Sequence, residues 1–280
     1  MHILEMGMLH TLFADSLCQA CKDDDVTRTS VFVLVLRHPV VENNAGLERL
    51  NPHWGEIMKR IRRVVVPGLP HHVVLHGVRS VDIFTSDSDR RSYILLLDEC
   101  AKRYGMSFWM WCLMTNHVHL VVVPADELSL AKGLGEAHRR YSRRFNALQG
   151  TTGHLFRARF FSYPVQLDAN LLCVARYIEI NPVMAGMVAS PGAYAWSSAR
   201  YHLHGERDPL VRQSPLLAMA ANWKDFLADG VSFHRDREAI ERHLSTGRPL
   251  GSPDWIAGLE AKLGRPLAAQ KVGRKRKPPK

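Results

Sequence analysis

Between residues 64 and 182 the chain switches repeatedly between two hydrophobic periods, and their order restricts the fold more than composition does. Val64-Val65-Val66 is an apolar run closed by the turn residues Pro67-Gly68. Residues 71–78 read as a strand, with Val73, Leu75 and Gly77 on one face and His72, Val74 and His76 on the other. Asp87 or Ser88 is expected to cap a helix running to Tyr104 and ended by Gly105; its Ile94, Leu95, Leu97 and Ala101 suit packing on a sheet. Residues 106–114 and 116–123 read as strands close enough to form a hairpin. Ser129 is expected to cap a helix to about Leu148, in which Gly133 and Gly135 weaken the first turns. Residues 154–165 read as a further strand, and Asp168 caps a helix that must end near Pro182. Strand, helix, strand, strand, helix, strand, helix predicts an α+β architecture, an antiparallel sheet with helices packed on it.

The flanks are less regular. Residues 1–57 read as an N-terminal extension in which only the apolar run 31–36 suggests a strand. Cys18-Gln19-Ala20-Cys21 has no second pair at zinc-ribbon spacing and is read as incidental. Residues 58–205 form the principal domain. Residues 206–270 form a helical C-terminal extension, with helices expected at 236–244 and 253–263, the second capped by Ser252. Residues 271–280 form a basic tail. No run of about 18 apolar residues suggests a membrane span, and the first residues lack a basic segment before an apolar core. Five cysteines, an odd and sparse set, do not read as a disulfide framework. A cytoplasmic location is the expectation.

His117-Val118-His119 leads into an apolar, largely β-branched run, so both imidazoles leave one face of a strand and form half of a metal site. The net charge of +10 favours an anionic partner, nucleic acid first. Tyr177 and Asn181 are four residues apart, so they share a helical face at about 6 Å along the axis. Leu171, Ala175 and Ile178 form a different, apolar face. Across a cleft, Asn181 could offer its amide oxygen as a third ligand to Mg²⁺ or Mn²⁺. A free tyrosine ionises near pH 10, so a nucleophilic Tyr177 needs a nearby cation. Its attack on a phosphodiester leaves a phosphotyrosine link and a free hydroxyl end. Spacing alone also allows His117 and His119 to be core histidines, Tyr177 to pack at a helix edge, and Asn181 to close the helix.

Arg139 with Arg143, and Arg140 with Arg144, are like-charge pairs one helical turn apart, whose repulsion an anionic partner would relieve. Arg157 and Arg159 share one face of the expected strand at 154–165, and Phe156 and Phe160 share the other. These six arginines are the DNA-binding candidates; the aromatics read as core.

Several stretches in order resemble a known family. They are Pro70-His71-His72-Val73, Tyr104-Gly105, Met114-Thr115-Asn116-His117-Val118-His119-Leu120 and Gly153-His154-Leu155-Phe156. After these come Arg176-Tyr177-Ile178-Glu179-Ile180-Asn181-Pro182-Val183-Met184-Ala185-Gly186 and Trp196-Ser197-Ser198. Over roughly residues 60–205 the chain resembles the REP-associated tyrosine transposases, within the single-tyrosine HUH transposases. The resemblance implies a ferredoxin-like HUH nuclease fold, with His117 and His119 binding a divalent metal whose shell Asn181 can complete. It implies Tyr177 as nucleophile in metal-dependent nicking and strand transfer of single-stranded DNA at palindromic hairpins, through a 5′-phosphotyrosine. Relatives assemble the site within one chain, so monomer and dimer both remain open. Thr115 stands where the family commonly has proline, which bears on the hairpin and not on the chemistry. Residues 246–252 resemble an extension of larger members. A descendant that binds hairpins without cutting them is the alternative. Motif order disfavours a relaxase, since many relaxases place tyrosine before the histidine pair.

Overall fold

The computed structural model describes residues 61–228 and 230–269. The expected N-terminal extension, with Cys18, Cys21 and the run 31–36, and the basic tail lie outside the described residues. The elements are β1 (His71–His76), α1 (Asp87–Tyr104), β2 (Met106–Leu113), β3 (His117–Pro124), α2 (Ser129–Gln149), β4 (Phe161–Pro164) and α3 (Ala169–Met184). Then follow α4 (Ala199–His204), α5 (Leu216–Met219), α6 (Trp223–Ala228), α7 (Gly230–Thr246) and α8 (Pro253–Leu263). The sheet order is β2-β3-β1-β4, with all neighbours antiparallel. A βαββαβ chain wound in that order is a ferredoxin-like α+β fold.

Alternation sorts the strands between two cores. Val73, Leu75, Val118, Leu120 and Val122 face Leu97, Leu134, Ala137 and Tyr141 of α1 and α2. Val74, Val121 and Tyr163 face Leu171, Val174, Ala175 and Ile178 of α3. On β2 a bulge between Phe108 and Met110 breaks the alternation, so Phe108 and Trp111 join the first core and Met110 and Cys112 the second. Gly133 makes room for Met106 where α2 crosses β2, since a Cβ there would lie 2.4 Å from Met106 Cε and the methionine would have to shift.

Several local expectations need correction. The cap of α1 is Ser86, one residue earlier than expected, paired with Asp89 in a capping box. Leu95 is 70% exposed, so it turns away from the sheet that Ile94 and Leu97 cover. Leu128, not Ser129, occupies the cap of α2; Ser129 Oγ instead accepts from the Asp126 N–H. Of the strand expected at 154–165, only Phe161–Pro164 forms. The preceding residues make one isolated bridge, Phe156 to Gly77, so Arg157 and Arg159 do not share a strand face. Helix α3 runs two residues past Pro182, because proline falls in its last turn and disturbs little of the ladder. In the C-terminal segment, α7 begins six residues earlier than expected and α8 matches, with Ser252 accepting from the Trp255 N–H. Helices α4, α5 and α6 are too short to carry a periodic signal.

Candidate active site

The register of β1 against β3 sets His76 opposite His117 and Val74 opposite His119. His72, His76, His117 and His119 therefore share the face of the sheet that α3 covers. The His76 and His117 rings stack at 5.2 Å, and His117 meets His119 edge-on at 4.9 Å. The sequence placed His72 and His76 on one face but gave them no role; the signal was their alternation in phase with the pair on β3.

Helix α3 brings Tyr177 and Asn181 to the same spot. The Tyr177 ring stands at 88° to that of His119, with centroids 5.4 Å apart. Asn181 Nδ2 lies 3.4 Å from His119 Nε2. Asn181 also lies beside the Tyr177 phenol and favours its ionised form. The structure thus brings together all four residues singled out for chemistry.

Burial sets the electrostatics. It depresses His117 to about 3, helped by His76, and His72 to about 3. It holds His119 well below the usual histidine range, helped by His117, His72 and His76. His76 falls to about 4, through burial and then the charge of Arg157. These rings are neutral at pH 7. Tyr177 is pushed up to about 12 by burial and then by Glu241, opposed by Arg237 and Asn181. Arg237 and Glu241 belong to α7, and no motif in the C-terminal segment announced them.

The donor set fits a divalent ion. His117 uses Nδ1 against Asn116 Oδ1 at 2.6 Å, and His119 uses Nδ1 against His72 Nε2 at 3.2 Å. Both rings tie Nδ1 elsewhere, as metal-binding histidines do, and His119 Nε2 faces Asn181 Nδ2 at 3.4 Å. With Asn181 the set is two neutral imidazoles and an amide, whose oxygen would have to turn toward His119 Nε2 to complete a mixed N,O shell. Among the described residues no group of three or more His, Cys, Asp and Glu side chains could hold a metal.

Helix α3 is anchored from behind by C-terminal residues. Arg176 pairs with Asp236 at 2.9 Å, and its guanidinium lies over Phe226 at 4.3 Å. Glu179, wholly buried, accepts from His202 Nδ1 at 2.6 Å and Trp223 Nε1 at 2.8 Å.

The six candidate arginines are spread out. Helix α2 packs on the opposite face of the sheet from the histidines. Arg139 is engaged by Glu136 at 2.8 Å and Arg140 by Glu99 at 2.7 Å, so carboxylates already offset the repulsion expected along this helix. Arg143, Arg144, Arg157 and Arg159 are exposed. Of the six, Arg157 comes close enough to bear on a site histidine, His76. Phe156 packs against the first core and Phe160 is buried, as expected of core aromatics.

No helix among the described residues is long and apolar enough to cross a membrane. No curated protein matches the chain. One similar solved structure is a REP-associated tyrosine transposase bound to a REP hairpin, 16% identical, covering 56% of this chain and 93% of that one, with a TM-score of 0.43. A second is a transposase of Deinococcus radiodurans R1, assigned as such without proof, 19% identical, covering 46% of this chain and 98% of that one, with a TM-score of 0.31. Over residues 65–181, the segment holding His117, His119, Tyr177 and Asn181, the chain matches the IS200-like transposases.

Proposed function

We propose that this chain nicks and rejoins single-stranded DNA, with Tyr177 as nucleophile and palindromic hairpins as the DNA it selects. The observation that carries this reading is the meeting of the Tyr177 ring, the histidine pair and the Asn181 amide inside the family-matched segment.

In the first step Tyr177 Oη attacks phosphorus and a phosphotyrosine ester forms. The bond from phosphorus to the 3′ oxygen breaks, and that oxygen leaves with the proton the phenol gave up. Attack by another 3′ hydroxyl reverses the step and joins new ends, with no nucleotide cofactor. His117, His119 and Asn181 would hold Mg²⁺ or Mn²⁺, which would offset charge on the scissile phosphate. Burial keeps both imidazoles unprotonated, ready to donate lone pairs at neutral pH. Asn181, one turn from Tyr177, favours ionisation of the phenol. Exposed Arg143, Arg144, Arg157 and Arg159 supply phosphate contacts.

The test is incubation with a hairpin-bearing single strand and Mn²⁺ or Mg²⁺, followed by denaturing electrophoresis. A covalent adduct is expected, lost in Tyr177→Phe and suppressed by EDTA. An adduct that survives Tyr177→Phe removes Tyr177 from the role. Tight hairpin binding with no adduct under either metal supports the non-catalytic binder instead.

A further inference from the structure

His72 and Tyr163 touch the site and have no part in the steps above. His72 Nε2 lies 3.2 Å from His119 Nδ1, and His72 Nδ1 lies 2.9 Å from the Tyr163 hydroxyl. The two imidazoles stack at 5.4 Å and 24°, and the Tyr163 ring meets His72 edge-on at 5.4 Å. His72 and Tyr163 are fully buried and His119 is 2% exposed. The register holds the row in place, since His72 on β1 is the partner of Tyr163 on β4.

A neutral imidazole has one donating and one accepting nitrogen, so fixing one proton in such a row fixes the others. Asn181 faces His119 Nε2 with its amide nitrogen, which can only donate. His119 Nε2 is then the acceptor and Nδ1 carries the proton. His119 Nδ1–H donates to His72 Nε2, and His72 Nδ1–H donates to the Tyr163 oxygen. Reversing the row would put a proton on His119 Nε2, where a metal needs a lone pair.

We propose that His72 and Tyr163 are positioning residues that hold His119 in its Nδ1–H tautomer and keep the Nε2 lone pair directed to the metal position. This deepens the proposed function and rests on its reading of His119 as a ligand, but the tautomer itself is readable without metal. Loss of such an outer partner weakens metal binding by about 10- to 100-fold.

The experiment is long-range ¹H–¹⁵N correlation on metal-free protein with labelled histidine, paired with Mn²⁺ titration calorimetry. In the unmutated chain His119 Nε2 is expected to be unprotonated and Nδ1 protonated; a protonated Nε2 overturns the proposal. Tyr163→Phe keeps the ring and removes the terminal acceptor. It is expected to populate the Nε2–H tautomer of His119 and weaken Mn²⁺ binding about tenfold. His72→Gln, whose amide oxygen can accept from His119, should retain more Mn²⁺ affinity than His72→Leu. Unchanged tautomer and affinity in Tyr163→Phe, or equal affinities in the two His72 variants, would also overturn it. The predicted tautomer with no Mn²⁺ binding in the unmutated chain would sink the metal reading and leave the row standing.

Discussion

Arg237 donates through Nε to Glu241 Oε1 at 2.8 Å across one turn of α7, and the two charges act on the Tyr177 phenol in opposite senses. Glu241 opposes ionisation and Arg237 favours it. Because Tyr177 ionises only near 12, the phenolate fraction rises about tenfold per pH unit through the neutral range. Strand cleavage should therefore climb with pH from about 6 to 9 without a plateau. Glu241→Gln should lower the Tyr177 pKa and speed single-turnover cleavage at pH 8 roughly threefold, about 0.6 kcal/mol of barrier. Arg237→Gln should slow it. A slower Glu241→Gln enzyme would contradict this account.

DNA affinity should divide the arginines by their existing partners. Arg139 and Arg140 already face the carboxylates of Glu136 and Glu99; Arg143, Arg144, Arg157 and Arg159 are exposed, as Arg139 is, but form no such ion pair among the described residues. Alanine at each of the latter four should reduce the slope of log affinity against log salt by about 0.7 for a single strand. Alanine at Arg139 or Arg140 should change it less. Fluorescence anisotropy with a hairpin oligonucleotide in a potassium chloride series measures both.

Much of this was legible beforehand, for identifiable reasons. The histidine pair sits on a strand whose apolar run is buried on both faces, and Tyr177 and Asn181 stand one turn apart on a helix that is buried almost all round. Short-range patterns therefore sufficed to bring the four together. Arg237, Glu241, His72 and Tyr163 were not legible as site residues, because their roles depend on strand register and on the packing of α7 over α3. The segment before β4 misled for another reason. Its alternation of arginine and phenylalanine mimics a strand, but Phe156 and Phe160 are drawn into the α1–α2 core by a turning backbone, without a ladder.

Acid should unfold this protein early. His71 and His76 are depressed to about 4, and His72, His117 and His138 to about 3, in each case chiefly by burial. In the unfolded chain these groups take up protons near pH 6.5, whereas the folded chain resists protonation until pH 3–4. Stability is thus full above about pH 6.5 and falls as pH drops toward the folded values, by up to about 1.4 kcal/mol per pH unit for each group. Urea midpoints should fall steeply between about pH 6.5 and 5. His138→Gln, which can keep a hydrogen bond to the Tyr93 hydroxyl, should make that dependence shallower by one proton. A pH-independent midpoint would contradict the burial of these rings.

The charges behind α3 should matter more to stability than to chemistry taken singly. Arg176→Met leaves Asp236, 5% exposed, without its 2.9 Å partner, and should cost about 3–5 kcal/mol. Arg176→Met combined with Asp236→Leu should recover most of that loss. Thermal melts of the two single variants and the double variant close the cycle; strict additivity would argue against a direct pair.

The separation of Arg176 from Asp236 by 60 residues also has a consequence for biosynthesis. A ribosome making this chain releases the histidine strands first and the tyrosine helix later. At that stage Arg176 still lacks Asp236 and Glu179 still lacks Trp223, so the helix bearing Tyr177 rests on the sheet with its buried charges unpaired. The buried charges behind the tyrosine are therefore paired only after residue 236 has emerged, and the last stage of folding bears on the helix that faces the histidines.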